Sequence, residues 1–136
     1  MKYLCFACEE ERTLNELSQT EWQALRQETL DYVEGLRKSG HLIATHPLQS
    51  ATVAKTVRMR SGSLSVTDGP FAETKEHIGG YFLIDAADLH EAIQIAANWP
   101  SARIGSIEVR PIDDELRMDR RYAQADEARG SRGIPV

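Results

Sequence analysis

The chain has 136 residues, of which 41% are hydrophobic and 27% charged, which suits one domain with an apolar core and excludes disorder along the whole chain. Its 16 basic and 21 acidic residues give a net charge of −5, and a chain of this sign lacks the basic surface that direct nucleic-acid binding requires. No apolar run is long enough to span a membrane, and the N-terminal run turns acidic at Glu9. We therefore expect a cytoplasmic protein that has no signal peptide.

The first predicted elements are a buried strand and a long helix. Tyr3 to Cys8 is a short apolar run typical of a buried strand. Overlapping capping boxes at Ser18 and Thr20 leave the first residue of the helix open. The helical spacing of apolar residues continues to Gly40, which is a natural C-cap, so we predict a helix over about residues 19–39.

Cys5 and Cys8 form a Cys-x-x-Cys sequence within the first strand. Side chains three residues apart on a strand point to opposite faces, whereas a redox Cys-x-x-Cys normally opens a helix. A zinc site would need further ligands at suitable spacing, and the sequence has none. We interpret both cysteines as small hydrophobic residues, and expect no metal and no cofactor.

The middle of the chain predicts four further strands. Leu42 to Thr45 predicts one strand, which His46-Pro47 interrupts. Ser61-Gly62-Ser63 predicts a hairpin between two alternating segments, although Lys55 falls on the apolar face of the first one. Another strand follows from Ile78 to Ile84, and its paired glycines, Gly79 and Gly80, indicate a bulge or a close approach.

A second helix and a last strand complete the order β, α, β, β-hairpin, β, α, β. The helix begins at Asp88 and Pro100 stops it, and Ile107 and Val109 mark the strand. This order predicts an α+β fold, a ferredoxin-like two-layer sandwich in which two helices cover one face of an antiparallel sheet. The other sheet face would stay uncovered, so we expect a homodimer formed through it.

Two segments carry a family resemblance. Val66-Thr67-Asp68-Gly69-Pro70-Phe71-Ala72-Glu73-Thr74-Lys75-Glu76 is followed by Gly79-Gly80-Tyr81-Phe82-Leu83-Ile84. With Thr56-Val57-Arg58 upstream and Ile107 to Pro111 downstream, they resemble the DGPF branch of the YCII-related family. The resemblance covers residues 1–112, which carry a charge of −4, and leaves residues 113–136 as a C-terminal extension with a charge of −1. We expect that extension to be partly helical or disordered.

The resemblance implies a dimeric α/β-barrel, in which two sheets pack face to face. It also implies a functional link to alternative sigma factors for some members, and dechlorinating chemistry on a hydroxylated ring for one relative. YCII proteins are proposed to use a His–Asp pair near the dimer interface. Thr29 occupies the position of that helix histidine, whereas Asp68 is present.

Besides Thr29, the sequence offers five candidate site residues, of which Asp68 is the member of the proposed pair that is present. Asp68 is either a turn residue that accepts backbone hydrogen bonds or an acid–base group in a cleft. Either His46 or His77 could replace the missing histidine, since both lie on connections where functional groups are common. Arg58 could bind a ligand carboxylate or pair with an acidic side chain. Phe71 is expected to anchor the turn in the core, with ligand stacking as the alternative.

Two functions remain open at this point. The first is a small-molecule-binding module without chemistry of its own, which acts in regulation or stress response. The second is a small, cofactor-free, lyase-like or hydrolase-like enzyme in which Asp68 exchanges protons with the substrate, assisted by His46 or His77. A third and weaker alternative is a subunit that mainly binds other proteins.

Overall fold

The computed structural model describes residues 1–72 and 74–114. Its helices and strands follow one another as β1 (Lys2–Glu9), α1 (Glu11–Asn15), α2 (Gln19–Lys38), β2 (Leu42–Pro47), β3 (Lys55–Arg60), β4 (Ser63–Asp68), β5 (His77–Asp85), α3 (Leu89–Ala97) and β6 (Ser106–Pro111). The C-terminal extension predicted for residues 113–136 lies almost wholly outside the described residues. No helix within the described ranges is long and apolar enough to cross a membrane.

Four strands form an antiparallel sheet in the order β2-β5-β1-β6. The predicted ferredoxin-like α+β fold is thereby confirmed, with the β3–β4 hairpin inserted between β2 and β5 as a separate two-stranded sheet. We call this hairpin, Lys55–Asp68, the arm. One register shift lies between β1 and β5, where Gly79 is the extra residue, so the predicted bulge is also confirmed.

Both long helices begin at side-chain caps. Ser18 accepts a hydrogen bond from the Glu21 backbone and Glu21 bonds back to the Ser18 backbone, which settles the register in favour of the Ser18 capping box. Asp88 caps α3 by accepting from the Glu91 backbone. Gly40 has a φ of +80° and follows the end of α2, as its predicted C-cap role requires.

The core lies between these helices and one face of the sheet. Tyr3, Cys5, Phe82 and Ile84 are fully buried there, against residues that include Val33, Leu36, Ala92, Ile95 and Trp99. The rings of Phe82 and Trp99 stack with their centroids 4.0 Å apart and their planes at 7°. Aromatic stacking therefore adds to the burial of apolar surface in holding the segment after α3 against the sheet.

The opposite sheet face carries the alternate residues of the same strands. Leu4 and Phe6 of β1 pair with Leu83 and Tyr81 of β5, and all four side chains are half-buried. We call this the open face, because α2 and α3 both contribute to the core on the other side. Its apolar centre is what the homodimer expected from the sequence would need on this face, because a face left to water is normally polar.

The structure also differs from the sequence-based elements in two places. The acidic segment after β1 forms a short helix, α1, which was not predicted. Strand β2 continues through His46 and Pro47, which pair with Tyr81 and Gly80. Proline is tolerated there because β2 is an edge strand, and the missing N–H is at the end of its ladder.

Candidate functional site

The segment Asp68–Phe71, which we call the DGPF segment, leaves the base of the arm. Gly69 has a φ of +92°, a conformation that suits glycine. Its N–H donates to the Ala54 carbonyl at 2.8 Å, and the Thr56 hydroxyl donates to the Gly69 carbonyl at 2.9 Å. These two bonds close the base of the arm and fix where the DGPF segment turns back toward β5.

Asp68 lies opposite Lys55 in the arm and forms an ion pair with its ammonium group. The Asp68 side chain is 85% exposed, and no hydrogen bond joins it to a histidine within the described part of the chain. This ion pair accounts for the polar Lys55 on the otherwise apolar face of the arm, because Asp68 lies directly opposite it on the same face. In a single chain, Asp68 is therefore a solvated, charge-paired residue at the base of the arm.

Arg58 and Phe71 are brought together by the same geometry. The Arg58 guanidinium carbon lies 5.5 Å from the centroid of the Phe71 ring, within cation–π range. The Phe71 side chain is 79% exposed, so the expectation that it anchors the turn in the core is wrong. The turn projects the ring away from the sheet, and Arg58, not the core, is its neighbour. The pair presents a charged, flat surface to solvent.

His46 lies at the end of β2 beside the open face. It is paired with Tyr81 across the ladder, and the two rings are 5.7 Å apart at an angle of 52°. His46 is exposed and Tyr81 half-buried. This places an imidazole and a phenol at the border of the apolar Leu4–Phe6 surface, an arrangement able to bind or protonate a ligand held against that surface.

His77 lies at the start of β5, where it pairs with Glu9 of β1, whereas the His46–Tyr81 pair lies farther along β5. It lines a shallow depression of about 350 Å³ together with Glu10, Glu11, Arg12 and Lys75. The Glu11 carboxylate accepts hydrogen bonds from the Ala51 backbone at 2.7 Å and the Ser50 hydroxyl at 2.9 Å, which lower the pKa of Glu11. The depression is thus lined by side chains of both charges, and its hydrogen bonds favour the ionised form of the Glu11 carboxylate.

A group of carboxylates surrounds Cys8 at the end of β1. Burial, and then the charges of Glu76, Glu108 and Glu9, raise the pKa of the Cys8 thiol. Burial also raises the pKa of Glu9, with Glu76 and Glu11 adding to it. A Cβ on Gly79 would lie 2.0 Å from the Glu9 carboxylate, so the bulge glycine makes the space that this side chain occupies. Within the described residues no group of His, Cys, Asp and Glu side chains is arranged to hold a metal ion.

Thr29 lies within α2 and its hydroxyl donates to the Leu25 carbonyl at 2.8 Å. That intrahelical bond uses the donor at the position where the family resemblance places a histidine. Of the six candidate residues, the structure brings Arg58 together with Phe71. It leaves Asp68, His46 and His77 unconnected to one another by any hydrogen bond among the described residues.

Tyr81 and Glu9 are the site residues that sequence reasoning missed. In the sequence, Tyr81 belongs to the family motif, and strand alternation places it on the face opposite the buried Phe82. Glu9 marks only the point where the N-terminal apolar run turns acidic. The signal that could have found it is the bulge at Gly79, because a missing Cβ in a strand makes room for a neighbouring side chain.

Comparison with known proteins gives a family model, a curated relative and a structural neighbour. The model described as the YCII-related domain matches residues 1–115. An uncharacterised protein of Rhizobium meliloti (strain 1021) is 40% identical over 106 residues, which cover 76% of each chain. The chain is also similar in structure to the 5-chloro-2-hydroxyhydroquinone dehydrochlorinase of Burkholderia phenoliruptrix AC1100, solved in complex with 2,5-dihydroxybenzoquinone. That likeness has a TM-score of 0.51 and 16% identity, and covers 83% of this chain and 94% of the other, so it bears on the fold.

Proposed function

Since this chain belongs to the YCII-related family, we propose that it is a small-molecule-binding module, and that its ligand is a flat, anionic organic molecule such as a hydroxylated ring compound. The observation that carries this proposal is the exposed Arg58–Phe71 pair beside the DGPF segment. A planar ring stacks on Phe71, and an ionised oxygen on that ring pairs with the Arg58 guanidinium.

The charge of Arg58 supports this ligand class. No described carboxylate forms an ion pair with Arg58, although the chain carries 21 acidic residues and a net charge of −5. A guanidinium left on an aromatic face in such a chain is available to an external anion. The structural neighbour was solved with a flat dihydroxyquinone, a molecule of this chemical class.

The proposed binding unit is a homodimer. Leu4, Phe6, Leu83 and Tyr81 form an apolar surface on the open face, and covering that surface with a second copy removes it from water. His46 and Tyr81 would then border a chamber between the two sheets. Sedimentation at micromolar concentration tests this, and a monomer at that concentration would be incompatible with it.

The ligand proposal is tested with 2,5-dihydroxybenzoquinone as the probe, by calorimetric titration of the full chain. Arg58→Gln removes the charge, and we expect the Kd for the probe to rise about tenfold, because one charge-assisted contact is lost. Phe71→Ala should weaken binding by a similar factor. Arg37→Gln is the matched control, because it removes the same charge from the exposed end of α2, where Arg37 pairs with Glu34. Equal affinities for all four proteins would refute the proposal.

A second function, a cofactor-free lyase-like or hydrolase-like enzyme, is favoured by the placement of His46 beside Tyr81 on the open face. Its catalytic pair would have to form between copies, since Asp68 pairs with Lys55 in one chain. Chloride release from 5-chloro-2-hydroxyhydroquinone tests it, with Asp68→Asn, His46→Ala and His77→Ala. His90→Ala is the control, because His90 lies exposed on α3 and contacts Gln94. Release that depends on Asp68 and one of the two histidines would favour the enzyme.

The functional link to an alternative sigma factor, which the family resemblance implies, and the cytoplasmic location expected from the sequence both stay predictions. Neither is needed for the ligand proposal, and a sigma factor that responds to the ligand-bound form would be compatible with it.

A further inference from the structure

The arm exposes an apolar surface on one of its two faces. Val57 pairs with Val66 and Met59 pairs with Leu64 across the ladder. Their exposed fractions are 63%, 55%, 58% and 65% respectively. Four large apolar side chains that form one continuous surface are unusual on a hairpin in water, whereas single exposed apolar residues need no explanation.

The arm is also a sheet of its own. Its strands bond to each other and are not part of the four-stranded sheet, and the hydrogen bond from the Gly69 N–H to the Ala54 carbonyl closes its own base. A two-stranded hairpin by itself is marginally stable in water, and becomes stable when one face packs against another layer. The arm therefore requires a cover for its apolar face in the working protein.

Charge indicates which surface supplies that cover. Residues 55–68 hold three basic residues and one acidic residue, so the arm carries +2 and the rest of the chain −7. Ser106 lies opposite Cys8 in the ladder and donates to the Glu76 carboxylate, and the Glu9 carboxylate lies beside it against Gly79. With Glu108, which pairs with Arg110, they form an acidic rim at one end of the open face. A second copy of this chain thus offers an acidic rim beside an apolar surface, which complements a basic arm that has an apolar face.

We propose that the arm of each copy docks on the second copy of the chain, its apolar face (Val57, Met59, Leu64 and Val66) packed against the partner and Arg60, at the free end of the arm, placed at the partner's acidic rim. This rests on the two-copy assembly of the proposed function and deepens it. The arm then closes the side of the ligand chamber, and the Arg58–Phe71 pair at its base belongs to the interface.

The test uses Val57→Thr/Val66→Thr in the full chain. Threonine keeps the branched Cβ that strands favour, and a Thr–Thr pair still suits the ladder, so the variant removes apolar surface with little effect on the hairpin itself. Val53→Thr is the matched control, because Val53 is 59% exposed just outside the arm. The dimer dissociation constant is measured by sedimentation, and the amide protection of residues 55–68 by hydrogen exchange.

We expect the double variant to raise the dimer dissociation constant at least tenfold and to lower the amide protection of the arm by a similar factor, with Val53→Thr unchanged. A dissociation constant within twofold of wild type, or arm amides that exchange as fast in wild type as in the double variant, would overturn the proposal. A protected arm in a protein that does not bind 2,5-dihydroxybenzoquinone would instead contradict the proposed function alone.

Discussion

Gly105 lies immediately before β6, where the chain passes closest to the end of β1. A Cβ at this position would lie 2.1 Å from the Cys8 carbonyl oxygen and 3.1 Å from the Glu9 Cβ. The oxygen belongs to the backbone of a central strand, so it cannot move aside as a side chain could. We predict that Gly105→Ala destabilises the fold by displacing β6 from β1.

The magnitude follows from that distance. Carbon–oxygen contacts in proteins are normally about 3.3 Å or longer, so the added methyl group overlaps the carbonyl severely. Overpacking a well-filled site costs ~1–3 kcal/mol, and we expect about 3 kcal/mol because a strand must shift. Gly35→Ala is the matched control. Gly35 lies within α2, and no atom of the described residues lies near its missing Cβ. We expect Gly35→Ala to stabilise the fold by ~0.5–1 kcal/mol through helix propensity.

The assay is urea unfolding followed by circular dichroism, at one fixed protein concentration because dimerisation would make the midpoint concentration-dependent. With an m-value of about 2 kcal/mol/M, the Gly105→Ala midpoint should fall by about 1.5 M. The Gly35→Ala midpoint should rise slightly. If Gly105→Ala unfolds within about 0.5 kcal/mol of wild type, a size typical of neutral surface changes, the steric reasoning is wrong.

Two further predictions concern ionisable groups. Burial raises the pKa of Cys5 to about 12 and raises that of Cys8, so iodoacetamide at pH 8 should leave Cys5 unmodified and label Cys8 slowly until the protein unfolds; rapid labelling of both by mass spectrometry would contradict this. The pKa of Glu9 is raised in the folded state, so the folded protein binds this proton up to a higher pH than the unfolded chain does. At a pH above the folded-state pKa, the ionised carboxylate therefore lowers the free energy of unfolding. At a pH below the unfolded-state pKa, the carboxyl is protonated in both states and has no such effect. Glu9→Gln should therefore exceed wild type in urea midpoint at pH 7, by a margin that disappears below pH ~4; a margin independent of pH would refute this.

The fold was predictable because its signals are local. The overlapping capping boxes and Gly40 mark both ends of α2 to within two residues, and the Asp88 cap marks the start of α3. A pattern of strands around these helices suffices for a ferredoxin-like order. The parts that were not predicted depend on distant residues. Strand β2 can extend to Pro47 because it is an edge strand of the sheet. Helix α1 begins without a side-chain cap among the described residues, so its start has no local signal in the sequence.

The candidate site was predictable in composition and not in arrangement. Arg58 and Phe71 were both named from the sequence, but their contact depends on the register of the arm and the turn after Gly69. The pairing of His46 with Tyr81 depends on the alignment of β2 with β5, which a single sequence does not specify. Phe71 was expected in the core because large aromatic residues usually lie there, and a turn that projects outward overrides that preference.

The separation of the arm from the four-stranded sheet has a consequence for how the protein can change. The residues that fix the fold lie in the four-stranded sheet and the helices, whereas the arm, with Arg58, contributes no residue to the core cluster. Segments with few buried contacts contribute little to global stability, so substitutions at Arg58 can alter the surface offered to the proposed ligand without endangering the global fold. The same scaffold is therefore able to diverge in specificity at little risk to its foldability.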